Sequence, residues 1–171
     1  MTEDEKKSID PLAKECAEAY DRALYVHWHD EDKDCLSTRN EILIRDSNIN
    51  TKIERTIAAN DQRKDCKAIS GEWYDPFTYT DETELVEGEL NLPFLNALDL
   101  DVDHIVPLKN AHVNGGWAWP AWKKEEYANH TDDKNHLLAV SASENRKKGA
   151  KGPEDYMPPA RKFKCQYLKI W

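Results

Sequence analysis

At 171 residues, with 39% hydrophobic and 33% charged side chains, the chain has the size and composition of one globular domain with a full core. It contains no repeat, no low-complexity tract and no apolar run of membrane-spanning length. The formal net charge of −9 argues against a protein that coats nucleic acid indiscriminately, because that binding is driven by phosphate neutralisation.

Charge is unevenly spread. From Arg146 to Trp171 eight Lys or Arg residues stand against Glu154 and Asp155, a net +6, which leaves −15 for the remainder. A basic C-terminal face on an acidic body suits a protein that grips phosphate at one place without wrapping DNA. The opening MTEDEKKSID lacks the apolar core of a signal peptide, so the chain is expected to be either cytoplasmic or secreted with its leader removed.

In chain order, Ile9 to Tyr25 carries Leu12, Cys16, Ala19, Tyr20 and Ala23 at amphipathic spacing behind Pro11, which predicts a first helix. His27 to Cys35 reads as a polar loop, in which His27 and His29 are solvated residues and not a metal pair. Thr38 to Asp46 predicts a short helix. Lys64 to Trp73 alternates, and the Asp75-Pro76 turn after it predicts a β-hairpin with the residues that follow. Leu98, Leu100 and Val102 alternate with Asp99, Asp101 and Asp103 in a strand with one buried face, which Pro107 ends.

A short helix from Lys109 to Val113 is interrupted at Gly115-Gly116. Pro120 opens the next helix, through Ala128, carrying Trp122 and Tyr127. Trp117, Trp119 and Trp122 read as packing residues before base-stacking ones. His136 to Val140 predicts a second strand, and Ser141 or Ser143 caps a helix running to Lys148, which Gly149 stops.

Four cysteines with no C-x-x-C pair make a zinc knuckle improbable. In an oxidising compartment Cys35 is expected to pair with Cys66; in a reducing one all four remain thiols.

The chemistry concentrates in two segments. Asp103 and His104 are neighbours on an extended run, so their side chains diverge unless the strand ends there. With the strand ending, the carboxylate can bind Mg²⁺ while the imidazole takes a proton from water. Forty-one residues after His104, Asn145 offers an uncharged oxygen to the same hard cation, and Arg146, Lys148 and Lys151 follow as phosphate contacts.

DVDHIVPL together with HLLAVSASENRKKG resembles the HNH (His-Me finger) endonucleases. CLSTRNEIL, CKAISGEWYDPFT, YAN and GPEDYMPP extend the likeness to a subgroup of small, often secreted nucleases of bacteria and fungi. That subgroup is related to the C-terminal nuclease domain of GmrSD-type restriction enzymes. The resemblance spans Cys35 to Trp171. It implies an α+β fold with a ββα-metal core over 98–149, additional helices and a short β-hairpin; the first helix read from apolar spacing makes 1–34 a helical extension, and the length of the chain makes 1–171 a single domain.

It also implies His104 as general base, with Asp103 and Asn145 holding one Mg²⁺, Mn²⁺ or other divalent cation. The partner is DNA, with RNA as a second substrate class, cut largely without sequence preference to leave 5′-phosphate and 3′-hydroxyl ends. A monomer is expected, with no membrane and with a protein inhibitor as a further partner. The alternatives are a nuclease domain of a restriction or toxin system, controlled by a partner, or an inactive binding module that keeps the fold.

Three positions depart from the subgroup. His136, beside Asn135, stands where the middle asparagine is usual; it either orients His104, binds metal or packs. His130 in YANH replaces an aspartate. Cys165 lacks a further cysteine downstream and either stays unpaired or joins Cys16. Arg39 offers a charge to the phosphate in the transition state, with a plain salt bridge to Glu41 as its other reading.

Overall fold

A computed structural model describes residues 11–50, 52–55, 66–79 and 92–171. The fold is α+β. Six helices, α1 (Pro11–Glu18), α2 (Thr38–Arg45), α3 (Leu108–Val113), α4 (Ala121–Asn129), α5 (Ala142–Lys148) and α6 (Arg161–Ile170), accompany five strands among the described residues. β1 (Glu54–Arg55), β2 (Ala68–Trp73) and β3 (Phe94–Asn96) form one antiparallel sheet, and β4 (Leu100–His104) pairs with β5 (Leu137–Ser141) in a second.

The register of the second sheet fixes everything around it. Val102 lies opposite Ala139, and His104 opposite Leu137, on one face; Asp101 opposite Val140, and Asp103 opposite Leu138, share the other. The first face packs on α2 and β2 through Leu100, Val102, Leu137, Ala139, Ile42, Leu43 and Trp73, whose indole donates to Leu43 O at 2.7 Å. α6 and the turn around Phe77 build a second cluster with Val140 and Ile105. Asp46, following α2, accepts the amide of Ala139, and Arg45 donates to Leu137 O, so the open edge of β5 is sealed by hydrogen bonds.

Helix α2, the loop before it, α3, α4, β5 and α5 follow the sequence expectation closely. Ser141 caps α5, and Gly149 ends it at φ +56°. Cys35 and Cys66 form a disulfide, while Cys16 and Cys165 are free, so the alternative Cys16 to Cys165 pairing is not made.

Other expectations need correction. The first helix stops at Glu18, because Asp21 caps Ala23 N and starts a separate 3-10 turn over Arg22–Leu24. Ile9 lies outside the described residues. The segment after Asp75-Pro76 is a turn through Tyr79, and β2 pairs with β1 and β3; residues 80–91 lie outside the described ones. Leu98 is 84% exposed, since Asn96 accepts its amide and holds it in a 3-10 turn before β4 begins. Trp122 is 66% exposed and packs on no core. Helix α6 lies beyond every helix expected from sequence, and Phe163 and Tyr167 supply its buried apolar face.

Candidate active site

Helix α5 lies against the acidic face of β4 because its residues at helical i, i+3 spacing meet strand residues at i, i+2. Asn145 Nδ2 donates to Asp101 Oδ2 at 3.1 Å, and one turn on, Lys148 Nζ donates to Asp103 Oδ1 and to His104 O, each at 2.9 Å. Lys148 is fully buried. It therefore anchors β4 to α5 and does not reach the surface as the phosphate contact expected from sequence.

Asp103 and His104 diverge as strand neighbours must, yet the strand ends at His104, and both line a cavity of about 320 Å³. Asn145, Tyr20, Arg22 and Lys109 line the same space. Asp103 Oδ2 and the amide oxygen of Asn145 accept no hydrogen bond among the described residues; Lys148 Nζ, 2.9 Å from that Oδ2, meets it as an ion pair and spends its hydrogen bond on Oδ1. The donor set is therefore all oxygen, one charged and one neutral, which fits a hard divalent cation. Burial pushes the Asp103 carboxyl above its ordinary range, and the Lys148 ammonium opposes that shift.

His104 is held on every side. Its Nε2 donates to Ala128 O at 2.8 Å, which leaves Nδ1 as the basic nitrogen, and its ring lies between those of Trp28 and Tyr127. Burial pushes the imidazole down to about 3, against the pull of the Ala128 carbonyl, so it is neutral at physiological pH. His136 Nε2 donates to Tyr127 O at 2.6 Å, and its ring meets His104 edge-on at 5.7 Å. Two imidazoles thus take successive carbonyls at the end of α4, where the helix dipole is negative.

Asn129, the last residue of α4, accepts from Trp28 N, His29 N and Thr38 Oγ1 and donates to Val26 O and Glu125 O. The loop carrying Trp28 is thereby fastened to the helix that carries Ala128. His130 packs its ring on His136.

The remaining expected residues separate into two groups. Arg146 and Lys151, with Lys147 and Lys109, line a groove of about 390 Å³ that shares Lys109, Gly149 and Ala150 with the first cavity. Arg39 is elsewhere: its guanidinium donates to Ala97 O and Leu100 O, fixing the start of β4, and Glu41 makes no ion pair with it. His27 Nδ1 donates to Tyr25 O and its Nε2 accepts from Arg22, and His29 faces Glu125.

Sequence reasoning passes over Arg22 and Lys109. Arg22 bears on the electrostatics of both Asp103 and His104, but it belongs to a 3-10 turn that no periodicity marks. Asp101 is legible only as part of an alternating strand; its partner Asn145 is what gives it a role. A further cavity of about 420 Å³, lined by Glu31, Glu125, Glu126 and Asp132, has the wrong charge for phosphate.

No helix among the described residues is long and apolar enough to cross a membrane. No family model matches the chain, and no solved structure matches it. An uncharacterized secreted protein of Arthroderma benhamiae is 30% identical over 154 residues, which is 90% of this chain and 64% of that protein, so the chain spans less than two-thirds of the length of the relative it matches.

Proposed function

We propose that the chain is a metal-dependent HNH (His-Me finger) endonuclease in which β4, β5 and α5 form the ββα-metal core. The observation that carries this reading is the single cavity lined by Asp103, His104 and Asn145 and bordered by Arg22 and Lys109. A neutral imidazole with one nitrogen fixed on Ala128 O presents Nδ1 to a water and accepts its proton as that water attacks phosphorus. The attack runs in line with the leaving 3′ oxygen, which gives 5′-phosphate and 3′-hydroxyl ends.

Asp103 Oδ2 and the Asn145 amide oxygen would hold one Mg²⁺ or Mn²⁺, which stabilises charge on the phosphate and the leaving oxygen. Lys148 keeps Asp103 ionised and aimed. His136 orients: by binding Tyr127 O it sets the carbonyl next in line, Ala128 O, that holds His104. Arg22 and Lys109 grip the scissile phosphate, and Arg146, Lys147 and Lys151 its neighbours, so contacts go to the backbone and base preference is small. The disulfide, together with the secreted relative, supports an oxidising, extracellular setting.

The test is cleavage of supercoiled plasmid with Mg²⁺, with EDTA and with His104→Ala. Nicking that depends on both the metal and the imidazole is expected. Nicking that survives either control overturns the mechanism.

A further inference from the structure

The loop before α2 reads Asp30-Glu-Asp32-Lys-Asp34-Cys35-Leu36 and runs on to Glu41. Counting Asp30 as one, carboxylates stand at positions 1, 3, 5 and 12, the spacing of the twelve-residue calcium loop, whose seventh residue gives a backbone carbonyl and whose twelfth is a glutamate in the exiting helix. Glu41 occupies that place in the first turn of α2. The one departure is Cys35 at position 6, where such loops use glycine for a sharp turn. Cys35 takes the turn nonetheless, at φ +85°, with its side chain tied to Cys66.

The carboxylates are placed as ligands. Oxygens of Asp30, Asp32 and Asp34 lie within 4.8 Å of one another. Each of these residues spends one oxygen on the loop's own backbone: Asp30 Oδ2 accepts from Cys35 N, Asp32 Oδ1 from Asp34 N, and Asp34 Oδ1 from Leu36 N. Asp30 Oδ1 is sealed from solvent and has no hydrogen-bond donor, an orphaned buried oxygen inside a ring of like charges. An unpaired buried carboxylate oxygen is costly, and a cation removes that cost.

From this arrangement we infer that residues 30–41 bind one Ca²⁺ through Asp30, Asp32, Asp34, the Leu36 carbonyl and Glu41. Oxygen-only donors and a flexible, many-ligand loop suit Ca²⁺ over a transition metal or Mg²⁺. The site is separate from the cavity of His104 and stands whether or not the chain is a nuclease. Its service is mechanical: Asn129 ties this loop to the end of α4, so an ion here stiffens the segment that carries Trp28 against His104.

Titration calorimetry of the full, disulfide-intact chain with CaCl₂ tests this, backed by Tb³⁺ luminescence sensitised by Trp28. One equivalent should bind, with a Kd of about 10⁻⁴–10⁻³ M or tighter. Asp32→Ala, at an exposed position, and the conservative Glu41→Gln should each weaken binding tenfold or more while circular dichroism stays unchanged. Asn145→Ala, which removes the other candidate cation ligand, should leave Ca²⁺ affinity within twofold. The inference fails if no saturable binding is seen up to about 10 mM, above the range of such loops. It fails equally if Asn145→Ala abolishes binding while the two loop variants retain it.

Discussion

Replacing Lys148 with methionine separates a buried anchor from a phosphate contact. Methionine keeps most of the stem but removes the ammonium that gives Asp103 its one hydrogen bond among the described residues, at a place where Lys148 is 0% and Asp103 5% exposed. Breaking a buried ion pair by deleting one partner costs about 3–5 kcal/mol. For a chain of this size each kcal/mol moves Tm by about 2–4 °C. Lys148→Met should therefore melt about 6–20 °C below wild type at pH 8.

The loss should shrink at pH 5. Burial already raises the Asp103 carboxyl, and without the lysine it rises further, so the stranded group takes a proton as the pH falls and ceases to be a buried charge. The double variant Asp103→Asn/Lys148→Met should recover at least half of the loss. Thermal unfolding followed by circular dichroism and calorimetry at both pH values measures all of this. A single variant within about 0.5 kcal/mol of wild type, the range of ordinary surface substitutions, would refute the anchor. A lysine that met phosphate would instead leave Tm intact and lower the salt dependence of DNA binding.

Removing the disulfide with Cys35→Ser/Cys66→Ser frees a 31-residue loop and should destabilise by about 3–4 kcal/mol in denaturant titration; no change would mean that the unfolded chain is not constrained there. His104→Gln should flatten the acid limb of the stability curve. In wild type the unfolded imidazole binds a proton below pH 6.5 that the buried one refuses down to about 3, so stability is full above 6.5 and falls with pH through that window. Equal slopes from pH 7 to pH 4 in the two proteins would show that His104 is not held neutral. Arg22→Ala should lower kcat for plasmid cleavage about tenfold to a hundredfold with Tm unchanged, whereas the same change at Arg39 should act through Tm; the reverse pattern would exchange their roles.

What the sequence makes legible here is what is local. DVDH alternates at strand period and is stopped by proline, TRNEILIR carries its own apolar positions, and Ser141 with Gly149 brackets α5, so β4, α2 and α5 could be read from neighbours alone. The partners of β2 could not. They come from 54–55 and 94–96, and their pairing joins positions far apart in the chain, which no local pattern encodes.

Lys148 misled for a related reason. In a run of Arg-Lys-Lys, the residue that turns inward is decided by Asp103 on a strand 45 positions earlier, and a basic run gives no sign of which member will be buried. Arg39 and Arg22 invert in the same way: the arginine inside a recognisable motif braces the backbone, and the one in an unmarked turn borders the cavity. The loop from His27 to Cys35 was readable as polar, but its ligand spacing gains meaning only with the free oxygens of its aspartates in view.

The last turn of α4 carries a further consequence. Its carbonyls at Tyr127 and Ala128 are received by His136 and His104, and its final side chain, Asn129, is received by the loop of Trp28. Each added or deleted residue would swing these groups by about 100° around the helix axis. The distance from Pro120 to Asn129 is thus a counted length, and a graft of this site onto another scaffold must carry that helix whole.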